Sequence, residues 1–200
     1  LVGALLDIST VSLALREALA KDFIISTLTV IKEEVASNGQ TTKVVFGTAD
    51  KERIEAVLMR HLSGRNTLCV SAQVGCPMGC VFCATGRQGF KRDLKASEIV
   101  EQVQYFRRLL KKENTDLRNI VYMGMGEPLA NYDAVVASIR TLNDQRQGGI
   151  GARHITISTC GLVPEIRRLI DEQWQVNLAI SLHAPTDELR SSLMPINRRY

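Results

Sequence analysis

No apolar run in this 200-residue sequence approaches the roughly 20 residues a helix needs to cross a bilayer, so no membrane partner is expected. The apolar start, Leu1–Leu6, has no basic stretch before it and no small-residue cleavage site after it, so no secretory leader is expected either. Five cysteines is an odd number, and three of them crowd into positions 76–83. That argues against a disulfide framework and for a reducing, cytoplasmic setting. There is no low-complexity segment and no repeat. Charge of one sign is also scarce: 25 Lys and Arg against 21 Asp and Glu leave a net +4. Such a balance is compatible with nucleic acid and demands none. The pairs Arg107-Arg108 with Lys111-Lys112, and Arg167-Arg168, read as solvated helix faces; Arg198-Arg199 forms a third basic pair. What is present, 45% hydrophobic residues with a mean hydropathy near zero, fits one large domain or one domain with a small appendage.

The first 62 residues read as a small α+β accessory domain. Ser9 is placed to cap a helix over Thr10–Ala20. Strands are expected at Leu28–Val35, Thr42–Gly47 and Ile54–Met59, the first two joined by the hairpin signal Ser37-Asn38-Gly39. Ser63–Asn66 reads as a linker. From Thr67 to Tyr200 the pattern changes to strand–loop–helix units. Strands are expected at Thr67–Ser71, Asn119–Met123, His154–Thr159 and Gln175–Leu182. Helices are expected at Glu98–Lys112 behind Ser97, at Tyr132–Leu142 behind Asn131, from Pro164 to Glu172, and from Asp187 to Leu193. Alternation with apolar strands means a parallel sheet covered by helices, so the fold class is α/β, and right-handed crossovers make a partial βα barrel its natural closure.

The densest chemistry is the run Gly75-Cys76-Pro77-Met78-Gly79-Cys80-Val81-Phe82-Cys83. Three soft thiolates in one loop suit a metal or cluster. Zinc would want a fourth ligand at finger-like spacing, and the next candidates are as distant as His154 and Cys160. Three thiolates suit a [4Fe–4S] cluster that leaves one iron open. A zinc ribbon remains the competing reading. Further polar groups fall at the carboxyl ends of the expected strands, where α/β sheets place their sites: Gly126 and Glu127, Ser158, and Ser181-Leu182-His183.

The C-x3-C-x2-C spacing with Phe82 before the last cysteine resembles the signature of the radical S-adenosylmethionine (SAM) enzymes. Gly124-Met125-Gly126-Glu127-Pro128 resembles their glycine–glutamate–proline motif. Residues 68–76, 83–90, 123–129, 157–161 and 180–185 with Pro195-Ile196-Asn197 together resemble the RNA adenine-C2 methyltransferases of the RlmN type. The resemblance implies a partial radical SAM barrel, a [4Fe–4S] cluster on Cys76, Cys80 and Cys83, and SAM held by Gly126, Glu127, Ser158, Ser181, Leu182 and His183. It implies ribosomal RNA and tRNA as substrates and an electron donor such as flavodoxin.

Adenine C2 is too electron-poor for direct methyl transfer. Members of this family first methylate a cysteine near the C-terminus, then deliver its methyl carbon to the base by radical chemistry, and a second cysteine resolves the adduct. By position Cys69 is that resolving cysteine and Glu55 the general base. The methyl-carrying cysteine has no counterpart here, since no cysteine follows Cys160. The sequence is therefore expected to be a piece cut at both ends, able to bind cluster and SAM but not to complete the transfer. Three other readings stay open: the sister branch that methylates adenine C8, a radical SAM enzyme on a small molecule, and a non-enzymatic zinc-ribbon RNA-binding module.

Overall fold

The computed structural model describes residues 4–200, so the first three residues of the apolar start lie outside the described residues. In chain order the elements are α1 (Leu13–Asp22), β1 (Thr29–Val35), β2 (Thr41–Gly47), β3 (Arg53–Arg60), β4 (Asn66–Cys69), β5 (Gln73–Gly75), α2 (Ala84–Arg87), β6 (Phe90–Asp93), α3 (Ala96–Lys112), β7 (Leu117–Tyr122), α4 (Tyr132–Asn143), β8 (Ile155–Thr159), α5 (Val163–Asp171), β9 (Asn177–Ile180) and α6 (Asp187–Leu193). One seven-stranded sheet has the spatial order β1-β2-β3-β4-β7-β8-β9. β1 to β4 pair antiparallel, and β4, β7, β8 and β9 pair parallel. β5 and β6 form a separate antiparallel pair. The mixed α/β class and all four expected parallel strands are present.

The Asn38-Gly39 signal makes the β1–β2 hairpin: Gly39 takes φ +71°, and Asn38 Oδ1 accepts from Gln40 N at 3.0 Å. Of residues 63–66, expected to be a linker, Ser63–Arg65 lie in the turn between β3 and β4 and Asn66 opens β4; the two strands pair from Val57–Cys69 to Arg60–Asn66. The hydrogen-bonded sheet thus crosses that point without a break. The first segment also shares its core with α3. Phe46 of β2 meets Tyr105 edge-on at 5.2 Å and Phe106 at 6.4 Å. The Glu101 carboxylate accepts from the backbone N–H of Thr27 and of Leu28, each at 2.8 Å.

α3 is positioned by Ile99, Val103, Phe106 and Leu110, which repeat at helical spacing and are all fully buried. Each such side chain contributes roughly 1.5–3 kcal/mol of burial. The helix starts earlier than the Ser97 signal predicts: Lys95 is the N-cap residue, and the Glu98 carboxylate accepts its N–H at 2.8 Å. A carboxylate in the first turn also answers the helix dipole, so it displaces the serine as the capping group. α1 likewise begins behind Ser12, whose Oγ accepts from Leu15 N, and not behind Ser9. Asn131 precedes α4 as expected, but its side chain does not cap. It donates to Ala72 O and Leu94 O, each at 2.8 Å.

Glu98 is buried and meets Arg92, which also reaches Asp50. Burial acts to raise the Glu98 pKa, but the Arg92 guanidinium and the Lys95 N–H outweigh it and hold the carboxyl below its usual value. A lowered carboxylate pKa adds stability that is present above the unfolded value and lost as pH falls through the folded one. We expect Arg92→Met to cost about 1–2 kcal/mol at pH 7 through Glu98, after discounting for the partly exposed guanidinium. The deficit should shrink below about pH 4. Urea unfolding of both proteins at the two pH values measures it.

Candidate functional site

The cysteine loop leaves β5 and returns through α2 and β6. Its base is two glycines pressed together: Cys76 N donates to Gly89 O at 3.0 Å, and both Gly75 and Gly89 have φ +75°. Inside the loop Cys83 N donates to Cys80 O at 3.1 Å, and Arg87 donates to Val81 O from Nε and Nη2. The outer side of the loop docks on α6, where Val81 N donates to Leu193 O at 3.0 Å.

Cys76, Cys80 and Cys83 line one cavity of about 300 Å³. Gly126, Glu127, Ser158, Ser181 and His183 line the same cavity, as do Phe82 and Cys160. The sequence-predicted groups therefore converge although they span more than a hundred positions. They meet at the carboxyl ends of β7, β8 and β9, as parallel sheets arrange their sites. Leu182 is the exception: it does not line the cavity, it is 62% exposed, and its carbonyl accepts from Arg190 Nε. His183 takes a left-handed φ of +59° and its ring lies 4.6 Å from that of Phe82.

Glu127 is buried and already engaged. One carboxylate oxygen accepts from Leu129 N at 3.1 Å and the other from Cys160 N at 2.8 Å. It ties the loop after β7 to the end of β8, and its remaining lone pairs are free for a ligand. Close approach is built in at Gly126, where an added Cβ would lie 2.4 Å from Gln73 Cβ. Gln73 Oε1 in turn accepts from Glu127 N at 2.8 Å.

Three polar residues that sequence reasoning passed over hold this rim together. Ser71 donates from Oγ to Glu55 O at 2.6 Å and accepts there from Met125 N at 2.8 Å. The fully buried Gln102 of α3 brackets the Ser71 backbone, accepting its N–H at 2.9 Å and donating to its carbonyl at 3.0 Å. Arg190 of α6 collects Cys160 O at 2.8 Å and Ser181 O at 3.1 Å, and also meets Asn197. Only the fold brings these partners within reach, and no local pattern marks them.

All five cysteines are free thiols. Burial pushes Cys76 up to about 11 and also raises Cys80, where a neighbouring Cys83 adds to the effect. Ligation by these groups therefore displaces protons. Among the described residues no three His, Cys, Asp or Glu side chains converge closely enough to hold a single metal ion. A loop of three thiols around a cavity fits a multi-iron cluster better than one zinc ion. Cys160, in the same cavity, is also raised, by burial first and then by Glu127.

Glu55 and Cys69 lie off this cavity. Glu55 lines a second groove of about 620 Å³ with Gly75, Ala84, Thr85, Gln88 and Met125, so it faces the flank of the cysteine loop. Its side chain is 45% exposed, with Lys43 Nζ 3.5 Å away. Cys69 sits on β4 between Val57 of β3 and Val121 of β7. Burial pushes its thiol to about 11 beside the backbone of Met123, a residue that lines the cysteine cavity.

Residues 70–200 match the Radical SAM superfamily. The chain is 46% identical over 195 residues to a probable dual-specificity RNA methyltransferase RlmN from Dictyoglomus turgidum, covering 98% of this chain and 55% of that protein. It is 48% identical over 194 residues to a protein of the same description from Geobacillus kaustophilus, covering 97% and 53%. A crystal structure of a radical SAM methyltransferase from Sphaerobacter thermophilus superposes on it with a TM-score of 0.96 at 47% identity, over all of this chain and 58% of that one. The chain spans about half the length of the curated relatives it matches.

Proposed function

Because this chain belongs to the radical SAM superfamily, we propose that it serves as an RNA methyltransferase acting on C2 of adenosine in ribosomal RNA and tRNA. The observation that carries the reading is the single cavity shared by Cys76, Cys80, Cys83 and the Gly126-Glu127 bend. The three cysteines would hold a [4Fe–4S] cluster, which when bound supplies an electron and one open iron for the amino-acid end of SAM. Gly126 lets the bend pack against Gln73, and Glu127 would accept hydrogen bonds from its ammonium with the lone pairs not used by Leu129 and Cys160. Ser158, Ser181, His183 and the backbone at Leu182 supply the further polar contacts to SAM. Phe82 and His183, whose rings meet at 54°, border the same cavity.

The adenosine would enter along the second groove, where Glu55 takes the C2 proton as general base beside Met125 and the cysteine-loop flank. Cys69, one strand from the cavity, is the resolving thiol in this reading, its raised pKa keeping it protonated until needed. Five unpaired thiols agree with a cytoplasmic setting, and reduction by a donor such as flavodoxin belongs to the same proposal. Among the described residues no helix is long and apolar enough to cross a membrane.

The test is anaerobic reconstitution of the 200-residue chain followed by reduction with SAM present. We expect SAM to be cleaved to 5′-deoxyadenosine and no C2-methyladenosine to form in added RNA, because no cysteine follows Cys160. With the uncovered portions of the Dictyoglomus relative restored on both sides of it, the chain should methylate C2, and Glu55→Gln should lower that rate about 10²–10⁴-fold with iron content unchanged. A protein that binds zinc and leaves SAM intact would overturn the reading, and a methyl group found on C8 would overturn its finer half.

A further inference from the structure

The parallel strands have a second end, and it carries a groove of about 650 Å³. Its walls come from the last turns of α3 (Arg107 and Lys111), from residues 114–118 leading into β7, and from the glycine loop Gly148-Gly149-Ile150-Gly151 with His154 ahead of β8. β7 connects the two sites: Leu117 lines this groove and Tyr122 lines the cysteine cavity. From Leu117 to Tyr122 the strand runs about 16 Å. The groove is thus a separate surface at the far end of the sheet.

We infer that this groove is a second contact for the phosphate backbone of RNA, remote from the site of chemistry. The inference rests on the RNA reading above and extends it to a different surface. Arg107, Lys111 and Arg118 face the groove, and among the described residues none of them has a carboxylate within ion-pairing distance. Elsewhere on the molecule Arg60, Arg92, Arg140 and Arg168 are all paired with acids. Arg107 Nη1 is shut off from solvent with no hydrogen-bond partner, so no carbonyl or carboxylate offsets the charge at that nitrogen. Asp116 is the one carboxylate residue on the lining, and its backbone carbonyl accepts from Asn66 Nδ2.

The opposite wall is mostly backbone. Gly149 has φ +67° and only Gln145 O, at 3.9 Å, near where a Cβ would stand, so a phosphate chain can come close to its backbone. Read along the sequence, Arg107 and Lys111 are only half of a solvated basic helix face. The fold separates them from Arg108 and Lys112 and sets Arg118 beside them. Apolar anchors of the kind a protein partner needs are few: Leu117 is half-buried and Ile150 is buried. A polar, cationic, glycine-walled groove matches nucleic-acid interfaces instead. The distance to the cysteine cavity also makes it a poor seat for an acidic electron donor.

The experiment measures binding of a short fluorescent RNA hairpin to the cluster-reconstituted chain by anisotropy over a salt series. The triple variant Arg107→Gln, Lys111→Gln, Arg118→Gln should bind about tenfold or more weakly at low salt, with a log–log salt slope shallower by about two. Its iron content and SAM binding should match the parent. A paired comparison guards against misfolding. Lys111→Glu and Lys112→Glu make the same charge change on neighbouring exposed positions of α3, but only Lys111 lines the groove. Lys111→Glu should weaken the hairpin at least about threefold more than Lys112→Glu. Equal effects of the two, or an unchanged slope in the triple variant, would overturn the groove while leaving the RNA reading intact. A parent chain that binds no RNA at all would overturn that reading and the groove with it. If polyglutamate binds in a Lys111-dependent way and RNA does not, the groove belongs to an acidic protein and the inference fails.

Discussion

Gly75→Ala should leave a protein that cannot hold iron, although every cysteine is intact. An alanine Cβ at this position would stand 1.8 Å from Gly89 O and 2.9 Å from the carbonyl carbon behind it. Both are main-chain atoms, and Gly89 O is the acceptor for Cys76 N at the mouth of the loop. Nothing flexible is there to move aside. The β5–β6 pair must open, and the hydrogen bond that sets the direction of Cys76 goes with it. The φ of +75° adds its own penalty. We expect a loss of more than about 3 kcal/mol and a near-absence of iron after reconstitution. Gly39→Ala is the matched control, because Gly39 has φ +71° but nothing within 4 Å of the added carbon. It should cost only about 1 kcal/mol, leave the iron content alone, and so isolate the overlap from the backbone conformation.

The second large effect separates the five thiols from one another. Cys76→Ser, Cys80→Ser and Cys83→Ser should each reduce iron from about four atoms per chain to a small residue, with matching loss of sulfide and of brown colour. Cys69→Ser should keep its iron. Cys160→Ser is the sharper comparison, because Cys160 lines the same cavity and lies near Glu127. It should also keep its iron, since it stands outside the loop spacing. Reconstitution should grow less efficient as pH is lowered. Cys76 and Cys80 both hold their protons more tightly than an ordinary thiol, burial being the main cause, and a bound cluster needs thiolates. A uniform iron content across all five variants would sink the assignment.

The elements that could be read from the sequence are those whose signal is local. β7 and β8 announce themselves by short apolar runs, the hairpin by Asn38-Gly39, and the cysteine loop by its spacing. The convergence of Ser158, Ser181 and His183 on one rim could be anticipated too, because parallel strands present their carboxyl ends together. What could not be read are contacts between polar side chains and distant backbone. Gln102 meets Ser71 across 31 residues, Asn131 meets Ala72 across 59, and Arg190 meets Cys160 across 30. Each is an unremarkable polar residue until the fold buries it against an unpaired main-chain group that must be satisfied. Glu127 was legible as a site residue but not as a brace. The cap of α1 was misplaced because Ser9 and Ser12 stand three residues apart and propensity does not choose between them, and that of α3 because the Glu98 carboxylate takes the N–H of Lys95, a residue with no capping propensity of its own.

The docking of the cysteine loop on α6 has a consequence for how the protein is made. Val81 takes its support from Leu193, and the carbonyls around Cys160 and Ser181 are gathered by Arg190, more than a hundred positions after the first cysteine. While the ribosome is still adding those residues, the loop has emerged but lacks its outer buttress. Delivery of iron and sulfide should therefore succeed only late, once α6 has been released and packed. A nascent chain stalled before residue 187 should expose its thiols to alkylating reagents that the finished, loaded protein resists.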